Sequence, residues 1–220
     1  MRGRFITFEG GEGSGKSTQV ALLADRLRIR SIEVVTTREP GGSPGAEAMR
    51  HLLLSGLVKP LGPTAETMIF AAARDDHVQQ TIEPALTRGA WVICDRFIDS
   101  TRVYQGELGN VDRRVIRALE RVTVRDAMPD LTFILDVPVE VGFARVEKRG
   151  QVRDRFESEH IEFHIQLREG FLSLARDEPQ RCVVIDATQS PETVASRIWL
   201  TVIERLLQPR GTATASRAAS

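Results

Sequence analysis

Residues 9–18 read EGGEGSGKST, and this stretch decides the fold. Gly10, Gly11, Glu12, Gly13, Ser14, Gly15, Lys16 and Ser17 fill the pattern G-x-x-x-x-G-K-[ST], with Thr18 next in line. The apolar run RFITFE (4–9) leads into the loop and a helical pattern leaves it, so the loop joins a strand to a helix. Glycines there let the backbone wrap a phosphate with its N–H groups pointing inward, and the helix N-terminus adds partial positive charge. In such a loop Lys16 reaches the β- and γ-phosphates of a nucleoside triphosphate and Ser17 ligates Mg²⁺. The loop alone leaves the phosphate acceptor open: water, a sugar, a protein or a second nucleotide.

Outward from the loop, short β-branched runs alternate with longer helical patterns. Strands are predicted at 4–9, 32–36, 90–95, 131–137 and 181–186, each nearly continuous in apolar residues, as strands covered on both faces are. Helices are predicted at about 16–30, 44–55, 64–88, 112–126, 138–149, 157–177 and 190–207. Pro84 should bend or split its helix near residue 83, and Ser190-Pro191 suits the start of the last one. The alternation predicts a doubly wound α/β domain of the P-loop NTPase fold, with a five-stranded parallel sheet flanked by helices. It spans residues 1–208, and the small, polar stretch 209–220 is expected to be a disordered tail.

The chain has 220 residues with 30 basic and 30 acidic side chains, so no global field favours nucleic acid or membrane. Cys94 and Cys182 lie in apolar strand-like runs and read as buried, reduced thiols. No run approaches the ~18 apolar residues of a membrane span, and no signal-peptide core opens the chain. The expected location is cytoplasmic.

A P-loop protein needs an acid at the end of a buried strand to help hold Mg²⁺. Asp95, closing WVICD, is the first candidate and Asp136, closing LTFILD, the competitor. Arg96 follows Asp95 where α/β ligands sit and suits a phosphate. Residues 145–155, RVEKRGQVRDR, place Arg145, Lys148, Arg149, Arg153 and Arg155 around a glycine between two helices. Three readings stay open on composition: a solvated surface, a nucleic-acid patch lacking interleaved aromatics, or a mobile lid over about 145–157. The P-loop itself carries no arginine, so transition-state arginines must come from elsewhere.

Two further pairs carry alternatives. His160 and His164 stand at i, i+4, a zinc-capable spacing, but without the metalloprotease glutamate position or an evident third ligand, which favours an ordinary amphipathic helix. Phe70 and Arg74 share a helical face, where Phe70 reads either as core or as a platform for a planar base.

Together these segments resemble the thymidylate kinase family from residue 4 to about 207. The motifs are FEGGEGSGKST, TREPGG (37–42), MIFAAAR (68–74), CDRFIDSTRVYQG (94–106), PDLTFILDV (129–137), the segment ending DRFE (154–157) and VIDATQS (184–190). The resemblance implies transfer of the γ-phosphoryl group of MgATP to dTMP by a nucleoside monophosphate kinase, ordinarily a cytoplasmic homodimer. It implies that Glu12 faces the acceptor's 3′-hydroxyl region, and that Arg96 and Arg38 hold the acceptor phosphate. Phe70 would stack on thymine, and Arg74 and Gln105 would address its polar edge. Ser100 or Thr101 would offer the base a hydroxyl, and Tyr104 would lie under the sugar. Arg145 and the turn 187–189 would flank adenine. Arg149, supported by Arg153 and Arg155, would act from the lid. Two departures bear on the base contacts: Phe97 follows Asp-Arg where the family commonly has Tyr or His, and Arg74 follows alanine where many members have Asp.

A phosphate-monoester acceptor has a second pKa of about 6, so at neutral pH it needs no general base. The alternatives are a P-loop kinase acting on another nucleotide, a nucleoside or a small metabolite, and a non-catalytic nucleotide-binding regulator. A GTPase is disfavoured because no N-K-x-D motif occurs.

Overall fold

A computed structural model describes residues 2–148, 156 and 159–208. Five strands, β1 (Phe5–Glu9), β2 (Val34–Arg38), β3 (Trp91–Asp95), β4 (Leu131–Asp136) and β5 (Cys182–Asp186), form one sheet in the order β2-β3-β1-β4-β5. Every pairing is parallel. The three inner strands are buried along nearly their whole length, whereas the edge strands β2 and β5 are only partly buried, although Val34 and Val35 of β2 still pack on opposite faces of the sheet.

The pleat sends Ile6 and Phe8 to one face and Phe5 to the other. On the first face they meet Val20, Leu23 and Leu27 of α1 (Lys16–Ile29) and Val194, Ile198 and Val202 of α9 (Pro191–Val202). On the second face Phe5 joins Val78, Ile82, Leu86, Phe97 and Ile98. A third cluster lies under α8 (Ile161–Asp177), where Leu167, Phe171 and Leu174 cover Ile134. Helices on both faces are what the continuous apolar strands require.

Helix limits follow local chemistry. Ser190 caps α9, its hydroxyl accepting from Thr193 N at 3.2 Å, with Pro191 at the first position. The predicted helix 64–88 is α3 (Pro63–His77), a π-helical turn (Val78–Ile82) and α4 (Glu83–Thr87), with Pro84 in the first turn of α4 directly after the π-helical turn, where the sequence predicted a bend or split. α2 (Pro44–Leu54), α6 (Arg113–Thr123) and α7 (Val139–Lys148) fall within the predicted spans. Two differences matter for function. β2 runs two residues later than predicted, because Thr37 and Arg38 continue its pairing opposite Cys94 and Asp95. A helical segment absent from the prediction, α5 (Ile98–Thr101) with a π-helical continuation (Arg102–Leu108), carries the CDRFIDSTRVYQG motif. Cys94 and Cys182 are buried and unbridged, as expected.

Candidate active site

A cleft of about 560 Å³ opens at the C-terminal edge of the sheet. Its floor is the P-loop. Gly10 (φ 134°), Gly13 (φ 66°) and Gly15 (φ 90°) all use backbone conformations that favour glycine. At Gly13 space is also closed, since a Cβ there would lie 2.1 Å from the Gly142 carbonyl oxygen of α7. Gly15 precedes Lys16 at the head of α1, and no side chain caps that helix, which leaves its first N–H groups facing the cleft. Lys16 Nζ donates to the carbonyls of Gly10 (3.2 Å) and Gly11 (2.9 Å). Burial, then the nearby Arg96, pushes the Lys16 pKa down. The Ser14 hydroxyl donates to Gly11 O at 2.8 Å and rigidifies the loop.

Of the two candidate acids, Asp95 stands beside the P-loop: its Oδ2 accepts from the Ser17 hydroxyl at 2.7 Å. Asp136 is held two-pronged by Arg168 at 2.6 and 2.9 Å. Ser17 and Asp95 form a hard-oxygen pair, and the described residues hold no cluster of three or more His, Cys, Asp or Glu suited to a metal. That donor set fits Mg²⁺, which keeps several waters and binds one or two protein oxygens beside substrate phosphates.

Arg96 occupies the middle of the cleft. Its backbone is left-handed (φ 66°), at a cost of about 1–3 kcal/mol for a residue with a side chain. The guanidinium donates to Glu12 Oε1 at 2.6 Å, to Gly10 O at 3.2 Å and to Ser100 Oγ at 3.3 Å, and it lies over the Tyr104 ring. Burial works against its charge, but Tyr104, Glu12, Glu9 and Asp95 outweigh that and raise its pKa. Glu12 also accepts from the Tyr104 hydroxyl at 3.2 Å. Burial favours the neutral acid, yet Arg96 and Lys16 hold Glu12 below the usual carboxylate range.

Beyond Arg96 the cleft continues between α3 and the segment 98–108. Phe70 is half-buried and lines this part, outside the core clusters. Its ring centroid lies 6.3 Å from that of Phe156, which meets Tyr104 edge-on at 5.4 Å. Arg74 is buried against Glu39 (2.9 Å from Nε), Thr101 Oγ1 (2.9 Å) and Phe97 O (3.3 Å). One departure from the family pattern lies against this arginine: the Arg74 guanidinium stacks on the Phe97 ring at 5.3 Å. Gln105 donates to Glu66 Oε1 at 3.2 Å. Arg38 pairs with Glu47 at 3.0 Å, and Arg50 stands nearby, donating to Pro40 O at 2.6 Å. At the opposite end Arg145, in the last turns of α7, donates to Ala187 O at 2.9 Å. Gln189 and Thr18 line that end too.

The family model for thymidylate kinase matches residues 8–198. The chain belongs to the thymidylate kinase family. A thymidylate kinase of Bradyrhizobium diazoefficiens is 61% identical over 208 residues, covering 94% of this chain and 91% of that one. Another, from Nitrobacter winogradskyi, is 59% identical over 220 residues, covering 99% and 96%. The crystal structure of thymidylate kinase from Ehrlichia chaffeensis superposes with a TM-score of 0.73 at 36% identity, covering 92% of this chain and 99% of that one.

Against that family frame, one cleft gathers Glu12 through Thr18, Arg38, Phe70, Arg74, Asp95, Arg96, Ser100, Thr101, Tyr104, Gln105 and Arg145. Gly10 and Gly11 line a smaller cavity behind the loop instead. Arg149, Arg153 and Arg155 lie outside the described residues, as do most of the expected lid and the tail 209–220. Of the two histidines, His160 is the extended residue that precedes α8, and His164, within α8, is buried against Phe143 and Phe163. Sequence reasoning missed Glu9 and Glu39, both buried acids. Glu39 pairs with Arg74 and with His77 Nδ1, and His77 Nε2 meets Thr37 Oγ1 at 2.7 Å. The available signal was an acid inside the TREPGG motif.

Proposed function

We propose that the chain transfers the γ-phosphoryl group of ATP to dTMP, giving dTDP and ADP by in-line displacement. Family membership carries the reaction. The observation that supports this division of the site is one continuous cleft. The P-loop and Arg145 stand at one end, an aromatic-walled pocket with Phe70, Arg74 and Gln105 at the other, and Arg96 between.

In this reading the P-loop amides and Lys16 hold the donor phosphates, with adenine between Arg145 and the turn at 187–189. Ser17 and Asp95 would hold Mg²⁺, which would offset the charge of the donor phosphates. The dTMP phosphate meets Arg96 and Arg38, and thymine lies against Phe70 with Arg74, Gln105 and the hydroxyls of Ser100 and Thr101 on its edge. Tyr104 and Glu12 face the sugar. An oxygen of the dTMP phosphate attacks the γ-phosphorus, the bond to the β–γ bridging oxygen breaks, and ADP leaves with the electron pair. No proton need move, because the acceptor is already mostly dianionic at neutral pH.

The main obstacle is repulsion between two anions. Lys16 and Arg96 counter it from below, and Arg149, Arg153 and Arg155 of the lid are proposed to supply positive charge over the transferring group. An arginine so placed is worth about 10³–10⁵ in rate. The proposal extends to a homodimer in the cytoplasm, supported by the family resemblance. No helix among the described residues is long and apolar enough to cross a membrane.

The test is an acceptor panel with MgATP. ADP release should depend strongly on dTMP, weaken with dUMP, and fall to the no-acceptor rate with thymidine. Turnover with UMP or thymidine in preference to dTMP would overturn the assignment.

A further inference from the structure

Glu9 is the last residue of β1 and the residue before the first glycine of the P-loop, and its side chain is fully buried. A buried carboxylate needs its oxygens satisfied, and here all its hydrogen bonds come from the turn that follows Arg96. Oε1 accepts from the backbone N–H of Phe97 at 2.8 Å and of Ser100 at 3.2 Å. Oε2 accepts from the Ser100 hydroxyl at 2.6 Å. The Ser100 hydroxyl thus links Glu9 to the Arg96 guanidinium, which donates to its oxygen at 3.3 Å.

Arg96 itself is left-handed, a conformation a non-glycine residue keeps only where its surroundings impose it. On one side its N–H donates to Phe8 O at 2.9 Å, the residue before Glu9. On the other side the next peptide N–H is held by the Glu9 carboxylate. The two residues that close β1 thus clamp Arg96 from both sides, and the same turn of chain continues into the phosphate loop.

We propose that Glu9 is a positioning residue for the acceptor phosphate: by holding the Phe97–Ser100 turn it fixes the left-handed backbone of Arg96 and so aims the guanidinium into the cleft. It touches neither substrate. Glu9 thereby ties the geometry of the acceptor site to the strand that carries the donor site. The inference rests on the dTMP kinase reading above.

Steady-state kinetics of the full chain tests it, with dTMP varied at saturating MgATP and ATP varied at saturating dTMP. Glu9→Ala should raise KM for dTMP on the order of 10–100-fold, the scale of a misplaced positioning group, while KM for ATP changes less than about threefold. Glu9→Gln, whose amide oxygen still accepts from Phe97 N and Ser100 N, should recover most of that loss. If Glu9→Ala does not fold, Glu9→Asp carries the test. Its shorter side chain withdraws the carboxylate from both amides, and the same selective rise in KM for dTMP is expected. An unchanged KM for dTMP, an equal rise in KM for ATP, or a Gln variant no better than the Ala or Asp variant overturns the role of Glu9. Wild-type chain lacking dTMP-dependent turnover would instead overturn the dTMP kinase reading.

Discussion

At Arg96 a constrained backbone and a functional charge coincide. Its guanidinium pairs with Glu12 at 2.6 Å, and in the proposed site the acceptor phosphate is a second anion beside it. Arg96→Ala should therefore raise KM for dTMP and lower kcat together, with kcat/KM falling about 10²–10³-fold, the scale of losing one charged donor. Arg149→Ala should lower kcat by about 10³ with little change in dTMP binding, if the lid arginine acts on the transferring group. Equal and mild effects in both variants, read from the same kinetics, would contradict the division of roles. His164 offers a different residue-scale test. It is buried against Phe143 and Phe163, and that burial pushes its pKa below the ordinary 6.5. The unfolded chain binds the proton more readily, so this residue's contribution to stability is present above pH 6.5 and lost as the pH falls. His164→Phe should lose less stability than wild type between pH 7.5 and 5.5 in urea unfolding; parallel losses would contradict it. Residues such as Lys16, Ser17, Asp95 and Arg96 were legible because short motifs specify them. Glu9, Glu39 and His77 were not, since their partners at Phe97, Ser100 and Arg74 come together only across the fold.

Elements meet at the P-loop more closely than local propensity indicates. Alanine in place of a mid-helix glycine ordinarily stabilises by roughly 0.5–1 kcal/mol. At Gly142 of α7 an added Cβ would lie 2.4 Å from Glu12 O, so the sign should reverse. Gly142→Ala is predicted to lower the melting temperature and to raise KM for ATP several-fold, on the order of 3–10-fold as the loop shifts. A gain in melting temperature with unchanged KM for ATP would contradict this. Helices with clear apolar periodicity and caps were legible at their starts, as at α9 behind Ser190-Pro191, whose predicted span to 207 ends in a π-helical turn (Ile203–Leu207) rather than α-helix. The segment 98–108 was not, because β-branched residues and Gly106 interrupt its pattern and a π-helical continuation breaks the usual period. The two-residue offset of β2 has a similar origin: Thr37 and Arg38 extend the strand through pairing with β3, which the β2 sequence alone does not contain.

Over the whole molecule, one parallel sheet presents the P-loop and the pocket beside Phe70 and Arg74 along a single edge. That the sheet is parallel followed from strands alternating with helices. Its order, β2-β3-β1-β4-β5, did not, because pairing between strands far apart in sequence leaves no local signature. A ligand that bridges the elements around this edge should stabilise them together. At about 100 times its Kd, dTMP should contribute about 2.7 kcal/mol and raise the melting temperature by roughly 5–11 °C for a chain of this size. Thymidine at the same concentration, lacking the phosphate proposed to meet Arg96, should shift it far less; equal shifts would contradict that placement. The most direct measurement of the whole account is product identification with γ-labelled ATP, Mg²⁺ and dTMP. The label should appear in the β-phosphate of dTDP, with one dTDP formed per ADP. Label released as inorganic phosphate, or ADP formed without dTDP, would contradict it.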